Sequence, residues 1–202
     1  MFIDVVQSNV LDVYHFLVGI VTPRPIAWVT TVDLKGRVNL APFSFFNAFG
    51  ANPPVVVFSP TLRRDGTKKD TLRNVEATGE FVLNAAVERL AEQINLSSKE
   101  LPYGDSEVEL IGLHLLPSTK VKPPRLAEAP VQMEGKVLQI LPIGKGAIAA
   151  NLVIGEIVAM HIADAVLDAQ RRIDPRKLRT IARLGGDWYC RTSDLFEMKR
   201  PT

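Results

Sequence analysis

The run Arg63-Arg64-Asp65-Gly66-Thr67-Lys68-Lys69-Asp70-Thr71 gathers cations and hydroxyls where a turn should meet a helix, a combination suited to holding an anion. Asp65-Gly66 reads as a turn. Asp70 or Thr71 can cap a helix over residues 70–77, whose apolar positions Leu72 and Val75 recur three residues apart before Gly79 stops it. Thr67, Lys68, Lys69 and Thr71 would then surround a helix N-terminus, where free N–H groups and the helix dipole favour a phosphate oxygen. A solvated charged loop is the competing reading of this run taken alone.

A second segment, Asn39-Leu40-Ala41-Pro42-Phe43-Ser44-Phe45-Phe46-Asn47, interleaves amides and a hydroxyl with aromatic residues. Asn39, Ser44 and Asn47 must reach solvent or find partners, whereas most of the phenylalanines read as core. The two segments together suit a ligand with a planar ring at one end and a phosphate at the other, the shape of flavin mononucleotide (FMN).

The elements that must position these residues are mostly strands. Residues 26–32 and 37–41 form a hairpin about the Asp33 to Gly36 turn, and Pro42 is expected to break that ladder. Further strand signals cover residues 55–59, 80–84, 131–141 and 148–162. Helices are expected at 87–95 and after Asp174-Pro175. The 95–130 stretch reads as mixed and loop-like, and Lys122-Pro123-Pro124-Arg125 either runs over the surface or reaches a second subunit. The expected fold class is mainly β with peripheral helices.

At 202 residues, 47% hydrophobic and 23% charged, the chain reads as one domain spanning 1–202. A net charge of +2 with no basic stripe argues against nucleic acid. An acidic start, Met1-Phe2-Ile3-Asp4, and the lack of any long apolar run argue against a leader and a membrane span, so a cytoplasmic protein is expected. The single Cys190 allows no intrachain disulfide and reads as a packed strand residue, and no Cys/His spacing suggests a metal. Of the three histidines, His15 falls in an N-terminal connection and His114 in an apolar strand, neither with a role. No hydrolytic triad can be assembled from local motifs.

Thr22-Pro23-Arg24-Pro25-Ile26-Ala27-Trp28, the Gly36 turn, Asn39 to Ser44, Asn52-Pro53-Pro54, Lys69-Asp70-Thr71 and Thr78 to Asn84 resemble, in order and spacing, the flavin reductase-like family of FMN-binding split-barrel proteins. Gly155 to Ile162 and Arg183 to Tyr189 resemble that family's later elements. The resemblance implies a homodimeric split β-barrel with FMN near the subunit interface, and hydride transfer from NADH or NADPH to flavin. Reduced flavin or electrons would pass to a monooxygenase or another acceptor protein.

The resemblance also carries site expectations. Lys69, Asp70 and Thr71 would hold phosphate; Asn39, Ala41, Pro42, Phe43, Ser44 and Asn47 would line the ribityl chain and ring. Arg24, Pro25 and Ala27 would complete the wall, with Arg24 near the N1/C2 edge, and Arg183 would lie close by. His161, otherwise a core or rim residue, would sit on the nicotinamide side. A flavoredoxin-like electron carrier, a non-enzymatic flavin-binding module and a pyridoxal-phosphate-handling barrel are the rivals.

Overall fold

The computed structural model describes residues 1–201. In chain order the elements are α1 (Val10–Ile20), β1 (Arg24–Pro25), β2 (Ala27–Val32), β3 (Val38–Phe43), β4 (Phe46–Ala51), β5 (Pro54–Phe58), α2 (Asp70–Thr78) and β6 (Glu80–Ala85). They continue with α3 (Ala91–Leu96), α4 (Glu107–Ile111), β7 (Leu115–Leu116), β8 (Arg125–Leu126), β9 (Val131–Ile143), β10 (Ala150–Ile162), α5 (Pro175–Leu178), β11 (Ile181–Arg183) and β12 (Tyr189–Arg191). The main sheet has seven strands in the order β3-β2-β6-β9-β10-β5-β4, antiparallel at every step. Its two outermost strands, β3 and β4, are consecutive in the chain and separated only by Ser44 and Phe45, so the sheet curls back on itself there.

Two apolar clusters flank β2. One gathers Trp28, Leu40, Ile94 and Leu126; the other holds Val29, Phe58, Leu72, Phe81 and Val153. Trp28 is fully buried, and its indole N–H donates to Ser97 Oγ at 2.9 Å, so its polar atom is satisfied. Phe81 needs two glycines. A Cβ built on Gly135 would lie 2.2 Å from Phe81 Cζ, and one on Gly155 2.5 Å from the same ring, so only hydrogen at both positions leaves room for it.

Several expectations are corrected. Pro42 does not break the ladder, because β3 continues to Phe43 with Pro42 opposite Trp28. β3 is an edge strand, and Leu40, two residues earlier, aims its N–H outward to Glu107 at 2.9 Å. Alternate residues share that outward direction, so the proline lacks an N–H only where β2 needs none. The N-terminal connection contains α1, capped by Asn9 Oδ1 accepting from the Leu11 N–H at 2.8 Å. The 87–95 helix begins with a 3-10 turn over Glu88–Leu90, and β4 and α4 were unforeseen. The Lys122 to Arg125 stretch, by contrast, follows the surface course that was one of its two readings: Pro124 O accepts from Thr30 Oγ1 at 2.6 Å and Glu80 accepts from the Lys122 N–H at 2.9 Å. No helix is long and apolar enough to cross a membrane among the described residues.

Candidate functional site

The start of α2 lies beside β3, so the two singled-out segments meet. Two adjoining hollows lie there. One, of about 120 Å³, is lined by Asn39, Ala41, Lys69, Asp70, Thr71 and Glu107. The other, of about 300 Å³, is lined by Tyr14, Ser44, Phe45, Ser59 and Arg64 among others. Pro42, Phe43, Arg63, Lys69 and Glu100 border both, which makes them one groove.

Neither Asp70 nor Thr71 caps α2. Lys69 is the N-cap residue, in extended conformation, and no side chain accepts from the helix's first N–H groups. Those donors are left for something outside the chain's own hydrogen bonds. The Lys69 ammonium stands over the Phe43 ring at 5.6 Å, and burial pulls its pKa below the ordinary lysine value. No carboxylate approaches it within salt-bridge distance among the described residues. Lys68 turns away to an ion pair with Glu76 at 2.7 Å, and Thr67 donates to Asp65 at 2.6 Å, so neither contributes to the groove. Arg63 supplies the second cation: it donates to Lys68 O at 2.7 Å and faces Asp70 at 3.4 Å.

Thr71 is buried, and its Oγ1 accepts from Asn39 Nδ2 at 2.9 Å, while Asn39 Nδ2 also reaches Thr31 Oγ1 at 3.4 Å. With its oxygen occupied by the amide, the Thr71 hydroxyl proton is free to donate elsewhere. Asn39 therefore orients Thr71. Glu107, which sequence reasoning missed, forms part of the floor. Its pKa is raised by burial, with Asp70 adding to the effect, while the Leu40 N–H and Arg63 pull against it. Only a glutamate in a loop-like stretch marked it, and that is no signal. Tyr14 and His15 reach the groove from the unforeseen α1.

The other expected residues lie elsewhere. Arg24 is buried, and its guanidinium donates to Val18 O, to Val21 O at 2.7 Å and to Leu184 O at 2.9 Å, with Ser44 Oγ 3.4 Å from Nε. It ties the end of α1 to the chain beyond β11, with its donors committed. Pro25 and Ala27 line a mainly apolar hollow of about 400 Å³ with Phe46 and Met133. Asn47 is exposed on β4, and its Oδ1 accepts from the Ala48 N–H at 2.8 Å. Arg183 lies over the Tyr189 ring at 4.4 Å and donates to Gly186 O at 2.6 Å. His161 lines a hollow of about 1200 Å³ that shares no residue with the Lys69 groove.

Residues 20–177 match the model of the flavin reductase like domain. The chain is 44% identical over 191 residues to an uncharacterised protein of Halalkalibacterium halodurans, covering 94% of this chain and 91% of that one. Nitrilotriacetate monooxygenase component B from Bacillus cereus superposes with a TM-score of 0.92 at 35% identity, over 98% of both chains. The 2-nitrobenzoate 2-nitroreductase of Pseudomonas fluorescens does so with 0.89 at 35% identity, over 100% of this chain and 97% of that one.

Proposed function

Because this chain belongs to the flavin reductase-like family of split-barrel flavoproteins, we propose that it binds FMN in the Lys69 groove and moves hydride from NADH or NADPH to flavin. The observation that carries the reading is Lys69: a half-buried ammonium that Glu100 attracts only from beyond salt-bridge distance, at the uncapped start of a nine-residue helix. A phosphate fits that vacancy of charge, accepting from Lys69, from the first N–H groups of α2 and from the Thr71 hydroxyl. Arg63 adds a second cation. Bound FMN would supply the hydride chemistry itself.

The chain's own task is then to hold and orient. Asn39 keeps the Thr71 proton pointed away from itself, and Ala41, Pro42, Phe43 and Ser44 present one wall along the groove. Asp70 acts through Arg63, holding the guanidinium at the groove's border. Arg24 acts at one remove, fixing α1, which brings Tyr14 and His15 to the opposite side. In this reading the protein is a cytoplasmic homodimer that passes reduced flavin or electrons to a monooxygenase or another acceptor protein. The Bacillus cereus relative, a monooxygenase component by its name, supports such a partner.

The test is anaerobic. Purified protein reconstituted with FMN should bleach with NADH or NADPH over repeated turnovers and recolour on exposure to an acceptor. Bleaching by dithionite alone would overturn the nicotinamide reaction and leave an electron carrier, and failure to retain FMN at all would overturn the site.

A further inference from the structure

The large hollow beside β9 and β10 is lined by His161, whose imidazole is paired with a buried carboxylate, and the Lys69 groove uses neither. Glu134 is completely buried, and its Oε1 lies 2.6 Å from His161 Nε2. The same carboxylate accepts from the Thr119 N–H at 2.8 Å and the Lys120 N–H at 2.5 Å. Although burial pushes the Glu134 pKa up, the Thr119 N–H, His161 and the Lys120 N–H together bring it below the ordinary value. Glu134 is therefore an acceptor on every side, and Nε2 of His161 must carry the proton between them. That leaves Nδ1 as the ring nitrogen available to the hollow that His161 lines.

The surrounding charges say what fits. Arg179 and Arg191 are both paired with Glu88. Arg89, Arg125 and Lys177 line the hollow without a carboxylate in salt-bridge distance among the described residues. Arg125 spends its guanidinium on Pro117 O and on Gln132 Oε1 at 3.3 Å, and Lys177 its amine on Leu167 O at 2.5 Å, all neutral acceptors. Glu92 and Glu128 are the remaining acids of the lining, and His114 engages Glu128 at 2.7 Å. The volume, about 1200 Å³, admits a ligand of nucleotide size.

We infer that this hollow is a second ligand site, for an organic anion bearing a carboxylate or phosphate. His161 touches the ligand through Nδ1, and Glu134 is the positioning residue that sets the imidazole's tautomer. The inference goes beyond the proposed FMN groove and rests on none of that groove's residues.

The test uses the full chain with FMN added, its retention followed by visible absorbance. Long-range proton–nitrogen NMR of His161 should show the proton on Nε2, and Glu134→Gln should transfer population to the Nδ1–H form, because an amide nitrogen can donate to Nε2. Benzoate and adenosine monophosphate, titrated separately, should each report by whether the His161 ring signals move; a response to either names the class. Arg125→Ala should weaken the responding anion about tenfold, with FMN retention unchanged. A wild-type ring protonated on Nδ1, or His161 signals unmoved by both anions at millimolar concentration, would overturn the inference. Loss of FMN from the unsubstituted protein would instead count against the Lys69 groove.

Discussion

Replacing Lys69 by methionine should have effects of opposite sign on the free and the liganded protein. In the free protein the ammonium is taken partly out of water beside Phe43, and Glu100 offsets that loss only from beyond salt-bridge distance. Its depressed pKa means the native state binds fewer protons than the unfolded chain between the lowered value and the ordinary 10.5. Stability therefore rises with pH through that window. Lys69→Met should abolish this rise and leave the free protein as stable as the wild type, or more stable, at neutral pH. In the complex the same change removes one charge-assisted hydrogen bond to phosphate, about 1.5–3 kcal/mol, or roughly a tenfold to hundredfold loss of affinity. Riboflavin, which lacks the phosphate, serves as the control, and its affinity should stay within about twofold. Fluorescence titration with both flavins, beside denaturant melts at several pH values, measures every arm. Equal losses for FMN and riboflavin, or a free protein destabilised by methionine, would refute the assignment of Lys69 to an anion.

Three further outcomes follow from the geometry. The raised pKa of Glu107 means the native state binds more protons than the unfolded chain above the ordinary 4.5, so stability falls as pH rises through the window up to the shifted value. Glu107→Gln should remove that fall in a pH series of melts while tightening FMN, because one negative charge leaves the floor of the groove. Gly135→Ala should cost about 1–3 kcal/mol by driving a methyl into Phe81, and Phe81→Leu in the same chain should recover part of it, both read by denaturant midpoint. Arg24→Met should strand the carbonyls of Val18, Val21 and Leu184 and cost about 2–4 kcal/mol, with limited proteolysis appearing first in α1.

The elements read best from sequence were those whose local signals agreed with their packing. The β2–β3 hairpin has a turn where Asp33 Oδ1 accepts from the Lys35 and Arg37 N–H groups, and α2 ends at Gly79 with φ +69°. The meeting of Thr71 with Asn39, 32 positions apart, was expected only because both segments suit opposite ends of one ligand and match the family pattern; local signals placed just the helix start and the strand. Pro42 misled because its rule concerns central strands, and whether a strand is central depends on pairing that no local window contains. Arg24 was placed at the cofactor by the family resemblance, and the fold adds what no local window holds, that backbone carbonyls 3 to 160 positions away accept from its guanidinium. α1 was missed because its apolar residues are largely exposed and its face has no polar contrast. Glu107 and Glu134 were invisible for a related reason: a buried carboxylate looks like any surface one until its donors, 67 and 27 positions distant, are in place.

The outer side of β3 bears on the protein's behaviour in concentrated solution. A free sheet margin invites another extended chain to zip onto its exposed amides, the first step toward aggregates. Here the Leu40 amide is already engaged by Glu107, and the next outward position is a proline with nothing to offer. The barrel thus carries its own guard against intermolecular β-pairing, and that guard borders the groove. A substitution that opened the floor for a larger ligand by removing both Glu107 and Pro42 would therefore trade colloidal stability for space.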